Sequence, residues 1–432
     1  MNALKPAVWN SLPGPDDVTR VELDNGITVL CRANDNSASV VVSGYLVSGS
    51  VFDPPEQLGL AHFTAYSLMR GTAGRTFQEI YEALESAGAS LGFGASVHNT
   101  NFGGRALAED LPLLLQLLSE SLRRPVFPAE QVERLRAQLL ASLAVREQDT
   151  ADMASLALDR ILFADHPYGR PEDGFSNTIQ AIRREDLVAF HQAHYHPARM
   201  VLVVVGGVDP RDAVGLVDRI LGDWSGPAEP AEALFPSVRP LAGMVREHIA
   251  IPGKSQSDLL IGTLGPRRNS PEYLPLSLGN NVLGQFGMMG RIGDVVREQA
   301  GLAYHASTSL NAWISSGSWE VAAGVNPANL QSAIDLILSE LRRFVTEPVS
   351  AEELQDSQAN FVGRLPLSME SNNGVAGALL NMERFQLGLD YYRRYPAMVQ
   401  AVTPEQVLEC ARQYLHPERL AVVSAGSDAA GA

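Results

Sequence analysis

The hydrophobic and polar positions of the chain follow two different periods, which predicts both strands and helices in each half. The run Val201–Val205 is entirely apolar and short, so it predicts a buried strand. Asp24-Asn25-Gly26 separates two further strand-like runs and predicts a hairpin turn. Helical spacing predicts longer elements at Leu111–Arg123 and from Pro128 to about Gln148. Strands followed by runs of helices indicate an α+β fold.

The two halves of the chain repeat one another in a constant register. The segment Leu118–Arg124 resembles Leu338–Arg343, and His196-Pro197 before a strand resembles His416-Pro417 before another. Both pairs are offset by 220 positions. A shared register of this kind indicates an internal duplication. We therefore expect two homologous domains, each a mainly antiparallel sheet packed with helices.

A proline-containing stretch separates the two halves. Residues 226–240 include Pro227, Pro230, Pro236 and Pro240, a composition typical of an interdomain linker. The sequence therefore predicts an amino-terminal domain at residues 1–225, this linker, and a carboxy-terminal domain at residues 241–432.

Charge and hydropathy restrict the partners. The chain has 33 basic and 49 acidic residues, a formal charge of −16, which argues against nucleic acid or an anionic membrane as main partner. No apolar run reaches the roughly 18 residues of a membrane-spanning helix, and Met1–Asp16 lacks the apolar core of a signal peptide. Cys31 and Cys410 fit a reducing compartment and no metal spacing. We expect a cytoplasmic protein without membrane insertion.

One short segment carries most of the chemical information. The stretch Gly59–Thr72 begins Gly-Leu-Ala-His-Phe-Thr-Ala-Tyr and ends, after an apolar run, in Gly-Thr. It resembles the zinc helix of the pitrilysin family of metallopeptidases, which reads Gly-Leu-Ala-His-Phe-x-Glu-His. The resemblance covers nearly the whole chain, from about Thr19 to Gly426.

The zinc site of that family is incomplete in this chain. In the family, two histidines one helical turn apart bind zinc, the glutamate between them is the general base, and a glutamate on a later helix completes the site. Here His62 stands at the first histidine, Ala65 replaces the base, and Tyr66 replaces the second histidine. The third ligand position falls at Leu143, six residues before Asp149, on an apolar stripe that predicts core packing. A catalytic zinc needs three protein ligands, so we expect this chain to bind no metal and to have no independent activity.

The remaining histidines leave two interpretations open. His62 is either a packed helix residue in a relict pocket or part of a rebuilt metal site with a distant residue such as His98. His191, His194 and His196 form an H-x-x-H-x-H pattern. The repeat keeps only one histidine there, which favours a helix end that runs into a strand.

The second half keeps the other characteristic element of the family. Val296–Tyr304 resembles its Arg-Glu-x-x-Gly-Leu-x-Tyr segment, in which the arginine and tyrosine hold the substrate backbone near the scissile bond. The resemblance implies that Arg297 and Tyr304 bind substrate. A guanidinium offers a fork of donors for peptide carbonyls, and a phenol can donate to a developing oxyanion. The alternative is that Arg297 pairs with a helix carboxylate and Tyr304 fills the core.

This chain has lost one half of the family's active site and has kept the other half. In this it resembles one member of the bacterial subunit pairs in which one chain carries H-x-x-E-H and the other the Arg/Tyr element. The resemblance implies a non-catalytic, substrate-positioning subunit of a heterodimeric zinc metallopeptidase. Zinc would be bound by the homologous partner subunit, and the substrate would be a peptide or unfolded polypeptide.

The substrate is expected to add as a strand to a sheet edge, for which the glycine-containing segment Ser90–Leu107 is the candidate. Two alternatives for the whole chain remain. One is a non-enzymatic scaffold of the same fold in a larger complex, and the other is an autonomous peptidase with a relocated metal site.

Overall fold

A computed structural model of the protein describes residues 12–226, 233, 235–287 and 290–427. Of the linker expected at 226–240, residues 227–232 and 234 lie outside the described residues, as do residues 1–11 of the amino-terminal segment. No helix in the described ranges combines the length and the apolar character needed to cross a bilayer.

Eleven strands of the described residues form two sheets. The strands of the first sheet are β1 (Thr19–Glu22), β2 (Thr28–Ala33), β3 (Ser39–Leu46), β4 (Ser90–Ala95), β5 (Thr100–Leu107) and β6 (Val201–Gly206), in the order β1-β2-β6-β3-β5-β4. Those of the second sheet are β7 (Val245–Ala250), β8 (Ser257–Gly265), β9 (Ala303–Ala312), β10 (Gly317–Val325) and β11 (Ala421–Gly426), in the order β7-β11-β8-β10-β9. Each sheet has one parallel pair, β2–β6 and β7–β11, and is otherwise antiparallel.

The helices surround these sheets. In chain order they are α1 (Leu60–Ser67), α2 (Phe77–Ser86), α3 (Leu111–Arg123), α4 (Ala129–Arg146), α5 (Thr150–Leu162), α6 (Ser176–Ala181), α7 (Arg184–His194), α8 (Pro210–Leu221), α9 (Tyr273–Gly284), α10 (Gly290–Gly293), a π-helix (Asp294–Gln299), α11 (Leu330–Phe344), α12 (Ala351–Ser368), α13 (Asn372–Arg384), α14 (Tyr391–Gln400) and α15 (Pro404–Tyr414). The α+β fold, the duplication and the hairpin β1–β2 are confirmed.

The chain forms two compact units whose segments alternate along the sequence. Unit 1 comprises the described residues of 1–143, 171–234 and 365–394, and unit 2 those of 144–170, 235–364 and 395–432. The units therefore do not follow the sequence boundaries at residues 225 and 241. Helix α5, from the first half of the sequence, belongs to unit 2, and helix α13, from the second half, belongs to unit 1.

The sheet of unit 1 is covered on both faces. Val40 and Val42 of β3 point into the main apolar core, which also contains residues of α3 and α8. Side chains of opposite parity point to the other face, and there the ring of Tyr45 lies 4.5 Å from the guanidinium of Arg384 on α13. Asn372, at the start of α13, donates to the Ser39 carbonyl at 3.2 Å.

The sheet of unit 2 is covered in the same way by α5. This helix packs against β8 and β11. A side chain at Gly262 of β8 would come within about 3 Å of Leu158 on α5, so the glycine permits the close approach. Thr150, at the start of the helix, donates to the carboxylate of Asp258 on β8.

Candidate functional site

Helix α1, which corresponds to the family's zinc helix, is fixed at its amino-terminal end by a buried aspartate. Both carboxylate oxygens of Asp53 accept backbone hydrogen bonds, from Gly59 at 2.8 Å and from Ala61 at 2.9 Å. Gly59 has φ +94°, and a Cβ there would lie 2.8 Å from the Asp173 carbonyl oxygen. Regular helix ends at Ser67, four residues before Gly71. The start of the helix is therefore rigidly placed in unit 1.

Replacement of Asp53 by alanine should lower the free energy of unfolding by about 2 kcal/mol, because two backbone donors at the start of α1 would lose a charged acceptor. Chemical denaturation in urea measures the difference. Glu56→Ala, at an exposed position of the same loop, is the matched control and should leave stability unchanged. Equal effects of the two substitutions would contradict this role of Asp53.

His62 and Tyr66 lie one turn apart on α1 and contact each other. Their ring centroids are 4.5 Å apart with an interplanar angle of 35°. The Tyr66 side chain is 46% exposed, and His62 is half-buried. Burial lowers the pKa of His62, and the nearby Asp173 carboxylate opposes the shift only in part. Burial therefore favours the neutral imidazole of His62, whose ring is tilted against that of a tyrosine where the family has a second zinc ligand.

The other two positions of the zinc site hold no donor atoms. Ala65 and Leu143 are each 1% exposed, and Leu143 is part of the main core of unit 1. The packing predicted for Leu143 is thus confirmed. Among residues 12–226, 235–287 and 290–427, no group of three or more His, Cys, Asp or Glu side chains could hold a metal ion. A catalytic zinc needs three protein ligands, whereas these four positions hold one imidazole, one phenol and two apolar side chains. The four residues therefore do not fit a catalytic zinc.

The histidines at the end of α7 have packing roles. His191 donates through Nε2 to the Leu122 carbonyl at 2.8 Å. The His194 ring lies 4.5 Å from the ring of Phe52 and 4.6 Å from that of Phe190. Helix α7 ends at His194 and β6 follows from Val201, as the sequence pattern predicts.

Acidification is expected to destabilise unit 1 through His194. Burial, with a smaller contribution from His196, lowers the pKa of His194 from 6.5 to about 4. Between these values the unfolded chain binds a proton that the folded chain does not. Stability is therefore complete above about pH 6.5 and falls as the pH decreases towards 4.

His194→Phe keeps an aromatic ring between Phe52 and Phe190 and removes the titrating group. The decrease in Tm between pH 7.5 and pH 4.5 should be smaller in this variant than in the native chain. His416→Phe is the control, because that histidine is exposed. An identical pH dependence in native chain and His194→Phe would contradict the assignment.

The segment with Arg297 and Tyr304 lies on the surface of unit 2. Arg297 is in the π-helix Asp294–Gln299, a rare, wide helical turn that is frequently found at functional sites. Its Nε lies 3.5 Å from the Glu298 carboxylate, a long ion pair between half-exposed side chains. Tyr304, in the outermost strand β9, is 84% exposed. The alternative that Tyr304 fills the core is wrong, whereas Arg297 does have a helix carboxylate beside it.

The candidate peptide-binding edge comprises fewer residues than the sequence predicts. Within Ser90–Leu107, only β4 is at the edge of the sheet, because β5 lies between β3 and β4. A side chain at Gly92 of β4 would meet no atom within 4 Å, and one at Gly94 would have the Tyr66 hydroxyl at 4.0 Å. The two glycines therefore leave space on one face of β4, and no described strand pairs with its outer edge.

The sequence was compared with models of protein families. Residues 28–172 match the insulinase family (peptidase family M16), and residues 181–361 match the peptidase M16 inactive domain. The chain belongs to the M16 peptidase family. This assignment confirms the resemblance to the pitrilysin family, and the match to the inactive domain supports a non-catalytic M16 member.

Relatives of this M16 chain match over most of its length. An uncharacterized zinc protease of Mycobacterium leprae is 27% identical over 402 residues, covering 92% of this chain and 89% of the relative. The mitochondrial-processing peptidase subunit beta of Lentinula edodes is 23% identical over 420 residues, covering 94% of this chain and 89% of the relative. The crystal structure of a peptidase M16 inactive domain from Pseudomonas fluorescens superposes with a TM-score of 0.88 at 27% identity. The superposition covers 95% of this chain and 98% of that one.

Two features of this M16 chain have no signal in the sequence pattern. The π-helical geometry around Arg297 is one. The other is an ion-pair network centred on Arg291, whose acidic partners are Glu353 and Glu340. Arg291 follows a segment with glycines at 284, 287 and 290, of which residues 288 and 289 lie outside the described part of the chain. Its partners are about 50 and 60 positions away, so only the tertiary structure brings them together.

Proposed function

We propose that this chain is the non-catalytic, substrate-positioning subunit of a heterodimeric zinc metallopeptidase. Its homologous partner would carry the H-x-x-E-H site and bind the zinc. The observation that carries the proposal is the exposure of Tyr304, at 84%, in a chain whose base and third-ligand positions are buried apolar side chains. An exposed tyrosine contributes little to folding, so an intermolecular role accounts best for its position.

Arg297 and Tyr304 would bind the substrate backbone in different ways. Among the described residues, the guanidinium of Arg297 has a 3.5 Å contact with Glu298 to give up, so it can turn to a peptide carbonyl at little cost. The phenol of Tyr304, free of burial, would donate to the scissile carbonyl as negative charge develops on its oxygen. Neither residue needs a metal on this chain.

Peptide or unfolded polypeptide is the substrate class that suits these groups. The side chains of Arg297 and Tyr304 would both donate hydrogen bonds to backbone oxygen atoms, which every peptide has. The outer edge of β4, which pairs with no strand among the described residues, would accept an extended segment through main-chain hydrogen bonds. Recognition of this kind requires an extended chain rather than a folded protein.

The two comparisons with named enzymes support the pairing. The Lentinula edodes relative is named as a subunit of a peptidase, and the Mycobacterium leprae relative as a zinc protease. A partner of the second kind would supply the zinc for which the described residues of this chain offer no group of three or more ligands.

The decisive experiment mixes the purified chain with a homologous H-x-x-E-H subunit from the same organism. An internally quenched peptide of about 15 residues reports cleavage, and elemental analysis reports zinc. We expect no stoichiometric zinc and no cleavage by the chain alone, and chelator-sensitive cleavage by the mixture. One zinc per chain with cleavage by the chain alone would overturn the proposal. A stable complex with a protein that is not a peptidase would favour the scaffold instead.

A further inference from the structure

The helical segment with Arg297 is too short to hold its own position. Helix α10 has four residues, Gly290–Gly293, and the π-helix that continues it has six. Isolated helices of this length are unstable in water, so tertiary contacts must place the segment. Ile292 and Val296 are fully buried and supply apolar contact, which is not directional. A directional contact is needed to fix the rotation of the segment.

Arg291 supplies such a contact from the first turn of the segment. Its side chain is 13% exposed, and Nε and Nη2 donate to the two carboxylate oxygens of Glu353 at 2.7 and 2.6 Å. Its Nη1 lies 3.8 Å from the Glu340 carboxylate, and its guanidinium is 5.8 Å from the centre of the Phe344 ring. A bidentate arginine–carboxylate pair fixes orientation as well as distance.

The acidic partners of Arg291 are themselves held in place. Glu353, near the start of α12, accepts from the Ser350 backbone at 2.8 Å, and its own backbone donates to the Ser350 hydroxyl at 3.1 Å. The hydrogen bond from Arg291 lowers the pKa of Glu353 to about 2, so the pair stays ionised at neutral pH. Glu340, on α11, also accepts from Arg343 at 2.9 Å. The contact therefore joins the segment to two long helices.

Arg297, six residues further along, has no anchor of this quality. Its ion pair with Glu298 is formed within the π-helix itself and cannot fix the position of that helix in unit 2. Both α10 and the π-helix pack against β9, the strand that carries Tyr304. A rotation of the segment would therefore displace both residues.

We infer that Arg291 is a positioning residue, which fixes the segment with Arg297 and Tyr304 through its bidentate pair with Glu353. The expected effect of Arg291 on catalysis rests on the proposed function. Its effect on the position of the segment does not. The inference assigns a role to a residue that contacts neither the expected substrate nor a metal.

The test uses the full chain with Arg291→Met and Glu353→Gln combined. Removing both charges together avoids leaving one ion unpaired in a partly buried site, so the variant should fold. Amide hydrogen exchange within residues 294–302 should accelerate about tenfold or more, because local opening becomes easier. In chain labelled with 3-fluorotyrosine, the Tyr304 resonance, assigned by its loss in Tyr304→Phe, should shift or broaden.

Two further variants separate positioning from general stabilisation. Arg343→Met removes another arginine that bonds to Glu340 but lies outside the segment, and it should change neither measurement. Arg291→Lys keeps the charge without the planar fork, and it should give an intermediate result. If the double variant fails to fold, Arg291→Lys decides the question by the same two measurements. Native exchange and a native Tyr304 resonance in the deciding variant would overturn the inference.

Activity with the zinc-bearing partner is a separate measurement. Misplacement of the two donors should lower kcat by about 10- to 100-fold with little change in KM. A loosened segment with native kcat would refute the proposed use of Arg297 and Tyr304 and leave the positioning role intact. A native segment with lowered kcat would refute the positioning role and leave the proposed function standing.

Discussion

Tyr304→Phe should lower the kcat of the assembled peptidase by about 100- to 1000-fold, the loss seen when one donor to a developing oxyanion is removed. The isolated chain should keep its Tm, because the side chain is 84% exposed. Steady-state cleavage of the quenched peptide by the mixed subunits measures the first quantity, and thermal unfolding measures the second.

A second exposed tyrosine provides the control for this substitution. Tyr81 lies on α2 and is also exposed, so Tyr81→Phe should leave kcat unchanged. Arg297→Ala should reduce cleavage as well, with a larger part of the loss in KM if the guanidinium binds ground state and transition state alike. Native turnover in both Tyr304→Phe and Arg297→Ala would exclude the two residues from the reaction.

Leu143→Glu should lower the free energy of unfolding by about 3–5 kcal/mol, because it places an unpaired carboxylate in the core. Leu143 is 1% exposed and stands where an active relative has its third zinc ligand. The loss should increase with pH above about 4.3, since the unfolded chain ionises there while burial keeps the folded carboxyl protonated. Urea denaturation at pH 4.5 and pH 7.5 measures both effects.

The same helix offers a matched control. Val145, two positions after Leu143 on α4, is 72% exposed, and Val145→Glu should change stability by no more than about 0.5 kcal/mol. Added zinc should not raise the Tm of Leu143→Glu, because His62 would be its sole histidine partner. A clear increase in Tm with zinc would mean that the metal site is closer to complete than the side chains suggest.

Local patterns in the sequence predicted much of the fold. The constant offset of 220 positions predicted the two related sheets, and strands β6 and β11 occupy matching places in them. The apolar stripe of α4 predicted the burial of Leu143. These features depend on residues that are near in sequence or repeated, so one chain suffices to see them.

The features that were missed depend on contacts between distant segments. Nothing in the pattern of α5 indicates that it packs on the second sheet, since its apolar face would fit either one. The strand β5 was grouped with β4 as a candidate edge, and only the pairing of β5 with β3 shows that it is interior. The pair Arg291–Glu353 joins two elements whose approach no local rule specifies.

The alternation of segments between the units bears on how the protein is made. Unit 1 includes residues 365–394, so its sheet lacks the covering helix α13 until long after its last strand, β6, has left the ribosome. Until then, the first half of the nascent chain has an incompletely covered β-sheet, a state prone to aggregation. Cutting the gene at the proline-containing stretch would likewise yield two fragments, neither of them a complete unit. Unit 1 can therefore be completed only after α13 has emerged.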